Sequence, residues 1–245
     1  MDEIIAAAFQ PDGKIVVVGV IGRGNDVRSV NFGLVRYNPD GTIDTAFGTG
    51  GRVTTDFFDI PTEVHRQAST SLVIQPDGKI VVAGAVAGEI NAFNDFFTKY
   101  DFALARYNSD GGLDTTFGSG GKVITDVVAN QSDAIGSLAL QTDGKIVAAG
   151  ITGNRTVKPG FALVRYNSNG GLDPAFGTNG KVITPIPNFG DAGSYSLIVQ
   201  PDGKIVAGGA VFNRALPYSS YDFALARYNS NGSGQRVWQR RNRGY

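Results

Sequence analysis

An arginine recurs at four matched places in this chain, Arg36, Arg106, Arg165 and Arg227, and a tyrosine follows each one: Tyr37, Tyr107, Tyr166 and Tyr228. Eight residues beyond the first three arginines stands an aspartate: Asp44, Asp114 and Asp173. A cation repeated in this way could line a ring of anion sites, or it could be half of a structural ion pair. The ion pair is the expected reading, because a residue present in every repeat builds the repeat, whereas sites tend to break its symmetry. The turns around Asp40 and Asp44, and around Asp110 and Asp114, bring acids close together, and the third turn has Asn169 instead. A calcium loop takes about six to eight oxygens, with acids at alternate positions and a bidentate one at its end. These turns offer one or two acids each, so calcium is the only cofactor that comes into question and it is not expected.

Other chemistry is thin. The glycine-rich stretches Gly48-Thr-Gly-Gly51 and Gly118-Ser-Gly-Gly121 have neither the lysine nor the helix of a phosphate loop, and read as turns. His65 is the only histidine, set in the polar stretch Thr62-Glu-Val-His-Arg-Gln67, so any mechanism needing two is excluded. There are no cysteines to form disulfides or a thiolate metal site. No Ser/His/Asp order repeats, and no carboxylate pair stands apart from the turn aspartates. No catalytic residue is expected, and the chain does not read as an enzyme.

The elements that carry these residues repeat as well. Gln10-Pro-Asp-Gly-Lys-Ile15 returns at Gln75, Gln141 (with Thr142 for the proline) and Gln200, at steps of 65, 66 and 59 residues. Phe32-Gly-Leu-Val-Arg-Tyr37 returns at Phe102, Phe161 and Phe223. A fixed long period marks a repeat architecture. Pro-Asp-Gly is a tight turn: proline presets φ, aspartate bonds its own backbone and glycine supplies a positive φ. The apolar run after it predicts a strand buried on both faces. The third strand alternates, with Phe102, Leu104 and Arg106 on its bulky side and Ala103, Ala105 and Tyr107 on its small side. The aspartate of Leu113-Asp-Thr-Thr-Phe-Gly118 is expected to cap one helical turn ended by the glycine. A fourth strand follows. Four antiparallel strands per unit with no helical periodicity predict an all-β fold, a β-propeller of four blades spanning about 3–57, 69–127, 134–185 and 194–233.

These phrases resemble the delta-60 repeat family, bacterial β-propeller repeats of unknown function, over essentially residues 3–232. The resemblance implies a propeller fold, a bacterial origin and a secreted or cell-surface parent protein. It brings no catalytic residues with it.

The fourth unit departs from the pattern after Ser233. The expected Leu-Asp-Thr-Thr-Phe-Gly is replaced by a segment with Arg236, Arg240, Arg241, Arg243 and the only tryptophan, Trp238. One back-translation of residues 234–245, shifted by a base, restores the missing repeat ending, aligned with Asp114 through Val123. The tail at 234–245 is therefore read as frame-shifted, or alternatively as a basic tail for an acidic partner. Either way the fourth blade is expected to lack its last strand, and an open propeller is expected to self-associate.

Net charge is zero, with 22 basic and 22 acidic residues, so no global field draws in nucleic acid. No apolar run approaches the roughly 20 residues of a membrane helix, so no membrane insertion is expected. What varies between repeats is the segment between the second and third strands, at 20–30, 85–99, 151–159 and 210–220. Variation on one face of a rigid scaffold is where binding commonly lives. The candidate binding residues there are Arg23, Arg28, Phe93, Phe96, Phe97, Tyr100, Arg155, Lys158, Phe212, Arg214 and Tyr218. Aromatics among amides and charges suit a protein or carbohydrate ligand. The competing class is a polysaccharide-acting hydrolase or lyase using the central channel.

Overall fold

The computed structural model describes residues 3–23, 26–58, 66–87, 99–153, 160–185, 189–213, 220–234 and 236–240; at 23, 26–30, 66, 68–69, 189–195, 211–213, 220–221 and 236–240 it describes the backbone alone. The chain divides into two units, residues 1–126 and 127–245. All regular structure among the described residues is β.

Unit one holds two blades. The first is β1 (Glu3–Phe9), β2 (Ile15–Arg23), β3 (Asp26–Tyr37) and β4 (Arg52–Thr55); the second is β5 (Arg66–Ile74), β6 (Ile80–Ala87), β7 (Asp101–Tyr107) and β8 (Lys122–Thr125). Each is a four-stranded antiparallel meander, and a single parallel pair, Val30 with Arg66, links them. Unit two repeats the plan with β9 (Ser132–Leu140), β10 (Ile146–Gly153), β11 (Gly160–Tyr166) and β12 (Lys181–Pro185), then β13 (Phe189–Val199), β14 (Ile205–Asn213), β15 (Ser220–Tyr228) and β16 (Arg236–Arg240). Within each unit the first strands pack on each other, β1 on β5 and β9 on β13, so the first strand of a blade is its inner one.

The apolar second strand is buried most completely in the second blade, where every residue of β6 is buried, whereas Val206 and Gly208 of β14 are only partly buried. The third strand joins one blade to the next. In unit one Phe32 and Leu34 of β3 share a core with Ala103, Ala105 and Tyr107 of β7. In unit two Phe161 and Leu163 of β11 share one with Ala224, Ala226 and Tyr228 of β15. A bulky face thus meets a small one. The tyrosine adds a polar pin: Tyr107 Oη donates to Thr55 Oγ1 at 2.7 Å, and Tyr228 Oη and Thr184 Oγ1 are also 2.7 Å apart. Burial raises the pKa of both phenols, that of Tyr228 to about 12.

Four expectations are corrected. The segment after β2 in the first unit is not one long loop, because β2 and β3 run on to pair Arg23 with Asp26; Arg23 and Arg28 are strand residues. Phe212 likewise lies in β14, opposite Tyr221. The β-branched and aromatic residues of these stretches extend the hairpins. The aspartate turn is one isolated turn and not a helix: Phe47 N donates to Asp44 O at 3.1 Å, Gly48 ends it at positive φ, and Ile43 makes one isolated bridge to Tyr37. The fourth unit lacks that turn in sequence but not its outer strand. Val237 and Trp238 of β16 stand opposite Ala226 and Leu225, where Lys181 and Val182 stand opposite Val164 and Leu163 in the third unit. The open edge of β15 is met by the residues that come next, and β16 follows Tyr228 sooner than β12 follows Tyr166.

Candidate functional site

Each blade has two ends. At one end the β1–β2 turn meets the turn that leaves β3, and the recurring polar residues converge there. Arg36 Nε donates to Asp44 Oδ2 at 2.7 Å, and Lys14 Nζ reaches the same oxygen at 2.9 Å. The guanidinium lies 4.5 Å over the ring of Phe47, and its Nη1 is 3.5 Å from Gln10 Oε1 and donates to Ser109 O of the next blade at 2.5 Å. The second blade repeats this with Arg106, Asp114 (2.8 Å), Lys79 (3.2 Å) and Phe117 (4.5 Å). The third does so with Arg165, Asp173 (2.8 Å), Lys145 (3.8 Å) and Phe176 (4.6 Å), and Arg165 Nη1 donates to Ser230 O. Arginine and aspartate are buried in all three.

The aspartate's second oxygen caps its own turn: Asp44 Oδ1 accepts from Ala46 N and Asp114 Oδ1 from Thr116 N and Oγ1. The hydrogen bond from Lys14, with the cap and Arg36 adding to it, holds the Asp44 carboxyl below its ordinary pKa. Asp114 is held well below, chiefly by Thr116. Asp40 is lowered in the same way by Thr42. Oδ1 of Asp40 and Asp110, the other two acids weighed as calcium ligands, accepts from the backbone of its own turn, at Thr42 N and Gly112 N. This end ties blade to blade, and its chemistry is internal.

The opposite end carries the segments that vary. Phe93, Phe96, Phe97, Arg155, Lys158, Arg214 and Tyr218 lie outside the described residues, as does His65. Tyr100 is described and partly buried, just before β7. The described part of this end is polar inside. Gln67 is fully buried; its Oε1 accepts from Phe57 N at 2.9 Å and its Nε2 donates to Asp56 Oδ1 at 2.7 Å. In unit two Asp133 takes the matching role, accepting from Val127 N at 2.8 Å. These side chains hold the links that enter the second and third blades.

One pair here escaped the sequence reading. The carboxylates of Asp101 and Asp126 lie within 4.8 Å of each other. Strand register brings them together: β7 pairs with β8 through Phe102 and Thr125, so the next residue on each strand must also meet. Twenty-five residues apart in sequence, they show no motif. Knowledge of the pairing would have found them.

With four blades and their repeated node in place, the family can be assigned. A family model for a domain of unknown function that forms a β-propeller, DUF5122, matches residues 10–47, 75–117, 141–176 and 200–234. The chain belongs to this family. Its matched segments begin at Gln10, Gln75, Gln141 and Gln200, the residues that open each turn, in keeping with the delta-60-like repeats. No curated protein matches the sequence. Among solved structures, a protein of unknown function from Dyadobacter fermentans is similar with a TM-score of 0.63 at 12% identity, over 96% of this chain and 68% of that one. The Hadza microbial sialidase Hz136 follows at 0.58 and 14%, over 96% and 45%. NanB sialidase from Streptococcus pneumoniae, as its K499G mutant, gives 0.58 and 10%, over 99% and 52%. The chain thus spans about two-thirds of the first and about half of each sialidase. At these identities the likeness shows the propeller fold alone.

Proposed function

We propose that this DUF5122 chain is a non-catalytic scaffold or binding module of a secreted or surface-exposed bacterial repeat protein, taking a protein or carbohydrate ligand on the variable end of its blades. One observation carries the reading: the division of labour between the two ends. The Arg36, Arg106 and Arg165 nodes spend their polar groups within and between blades, which leaves recognition to the end where the repeats differ. Tyr100 and the aromatics at 93, 96 and 97 cluster in one such segment. A glycan microarray and a binding screen against surface proteins test this. Saturable binding that falls at least about tenfold in Phe96→Ala and Tyr100→Ala, with the melting temperature unchanged, supports the module. Binding that survives both substitutions contradicts it.

A polysaccharide-acting hydrolase or lyase is the second reading. The Asp101–Asp126 pair favours it, because glycosidases work with two neighbouring carboxylates and oxygens of these two lie within 4.8 Å of each other. Asp101 opens β7 and Asp126 directly follows β8, away from the inner strands that face a propeller's channel, and so the reading stands second. Release of reducing ends that is lost in Asp101→Asn and Asp126→Asn would establish it.

A further inference from the structure

The bulky-on-small packing that joins blades inside each unit leaves two faces of the same kinds unmet. On the fourth blade Phe223 is 79% exposed and Leu225 43%, although their counterparts Phe32, Phe102, Phe161, Leu34, Leu104 and Leu163 are fully buried. Ile198 is also exposed, and register carries it through Val206 to Arg227 on this same face. On the first blade the small face is open. Tyr37 is only partly buried, where Tyr107, Tyr166 and Tyr228 are inaccessible. Phe9 pairs through Ile15 to Tyr37 and is itself exposed. A mostly apolar, open cavity of about 200 Å3 lies there, lined by Ile4, Val17, Ile21, Val35 and Tyr37 and flanked by the charged Glu3 and Arg52.

The turn glycines report the same contrast. A Cβ on Gly111 would stand 2.9 Å from Gly48 N of the preceding blade, and one on Gly232 would stand 2.7 Å from Val182 Cγ2 and 3.1 Å from Gly177 N. A Cβ on Gly41 would meet nothing within 4 Å. The first blade carries the socket, with its seat empty.

We propose that the Phe223–Leu225 face of one copy of this chain docks on the Val35–Tyr37 face of a second copy, head to tail. The occupant is specified by the two internal joints, which show which face accepts which: Phe and Leu against small residues and a tyrosine, with the arginine aimed at the carbonyl after the turn asparagine. Phe223, Leu225 and Arg227 supply the first set; Gly33, Val35, Tyr37 and Pro39 hold the positions of the second. The fourth unit has no Asp-Phe-Gly turn to cover the joint, so the contact is weaker than the internal ones. Because the two faces differ, the contact is heterologous, and it adds copies without limit unless the rotation closes a ring.

Sedimentation velocity across a concentration series tests this with two variants at exposed positions, Phe223→Arg and Phe9→Arg, each checked for an unchanged circular dichroism melt. The wild-type chain is expected to grow in mass with concentration. Each variant alone is expected to associate on the order of tenfold more weakly or worse. An equimolar mixture retains one sound face of each kind and is expected to give a one-to-one dimer and nothing larger. A wild-type chain that stays monomeric throughout overturns the proposal, as does assembly that ignores both substitutions or a mixture that stays monomeric.

Discussion

Phe161 and Phe223 occupy the same place in the same phrase, Phe-Ala-Leu followed by Val or Ala and then Arg-Tyr-Asn, and their surroundings are opposite. Phe161 is inaccessible under the small face of β15, and Phe223 is 79% exposed. Local sequence makes the strand and sets its two faces, but burial depends on a neighbour. The third blade also keeps its aspartate, phenylalanine and glycine turn, and the fourth does not. A joint in this protein therefore has three parts: an interdigitated apolar layer, a tyrosine pin and an arginine node. Each part can be removed separately.

The node should matter most. Asp173→Ala leaves Arg165 buried without its carboxylate and is expected to cost about 3–5 kcal/mol, read by urea denaturation; a loss below about 1 kcal/mol would mean that the node only decorates the joint. The glycine turns come next. Gly41 and Gly111 have φ of +86° and +92°, so alanine strains both by about 1–2 kcal/mol. Only Gly111→Ala also strikes the preceding blade, which should add about 1–3 kcal/mol. Equal costs at the two glycines would show that the tight contact relaxes freely.

The tyrosine pin is a smaller term. Tyr107→Phe leaves Thr55 Oγ1 without its buried donor and should cost about 1 kcal/mol, while Tyr37→Phe at the open face should stay within about 0.5 kcal/mol.

The smallest effect is that of acid. Asp44 and Asp114 have folded pKa values below their unfolded ones. The stability they add is complete above the unfolded carboxylate pKa of about 4 and is lost as pH falls below it toward the folded values. Melting temperature should hold from pH 7 to about 5 and fall toward pH 3, less steeply in Asp114→Asn. A flat profile down to pH 3 would contradict the assignment.

Much of this was legible in the sequence. The Gln-Pro-Asp-Gly-Lys turns, the doubly buried second strand and the two-faced third strand follow from turn chemistry and alternation, and the arginine–aspartate pairs follow from recurrence. Less was legible where a neighbour decides. Arg236-Val-Trp-Gln-Arg240 matches no repeat, yet it becomes β16 because β15 offers an edge to pair with. Residues 20–30 looked like a loop because they vary, but variable side chains do not prevent the hairpin from continuing to Arg23 and Asp26. Asp101 and Asp126 meet through register alone. Nothing in the phrase around Phe223 distinguishes it from the one around Phe161.

That last pair gives the most direct test of the claim that joints, rather than strands, stabilise the blades. Phe161→Ala and Phe223→Ala are compared by urea denaturation under dilute, monomeric conditions. The predicted cost is about 3–5 kcal/mol for the first and no more than about 0.5 kcal/mol for the second. Equal costs would contradict it, because the strand's own sequence would then be setting stability whatever lies against it.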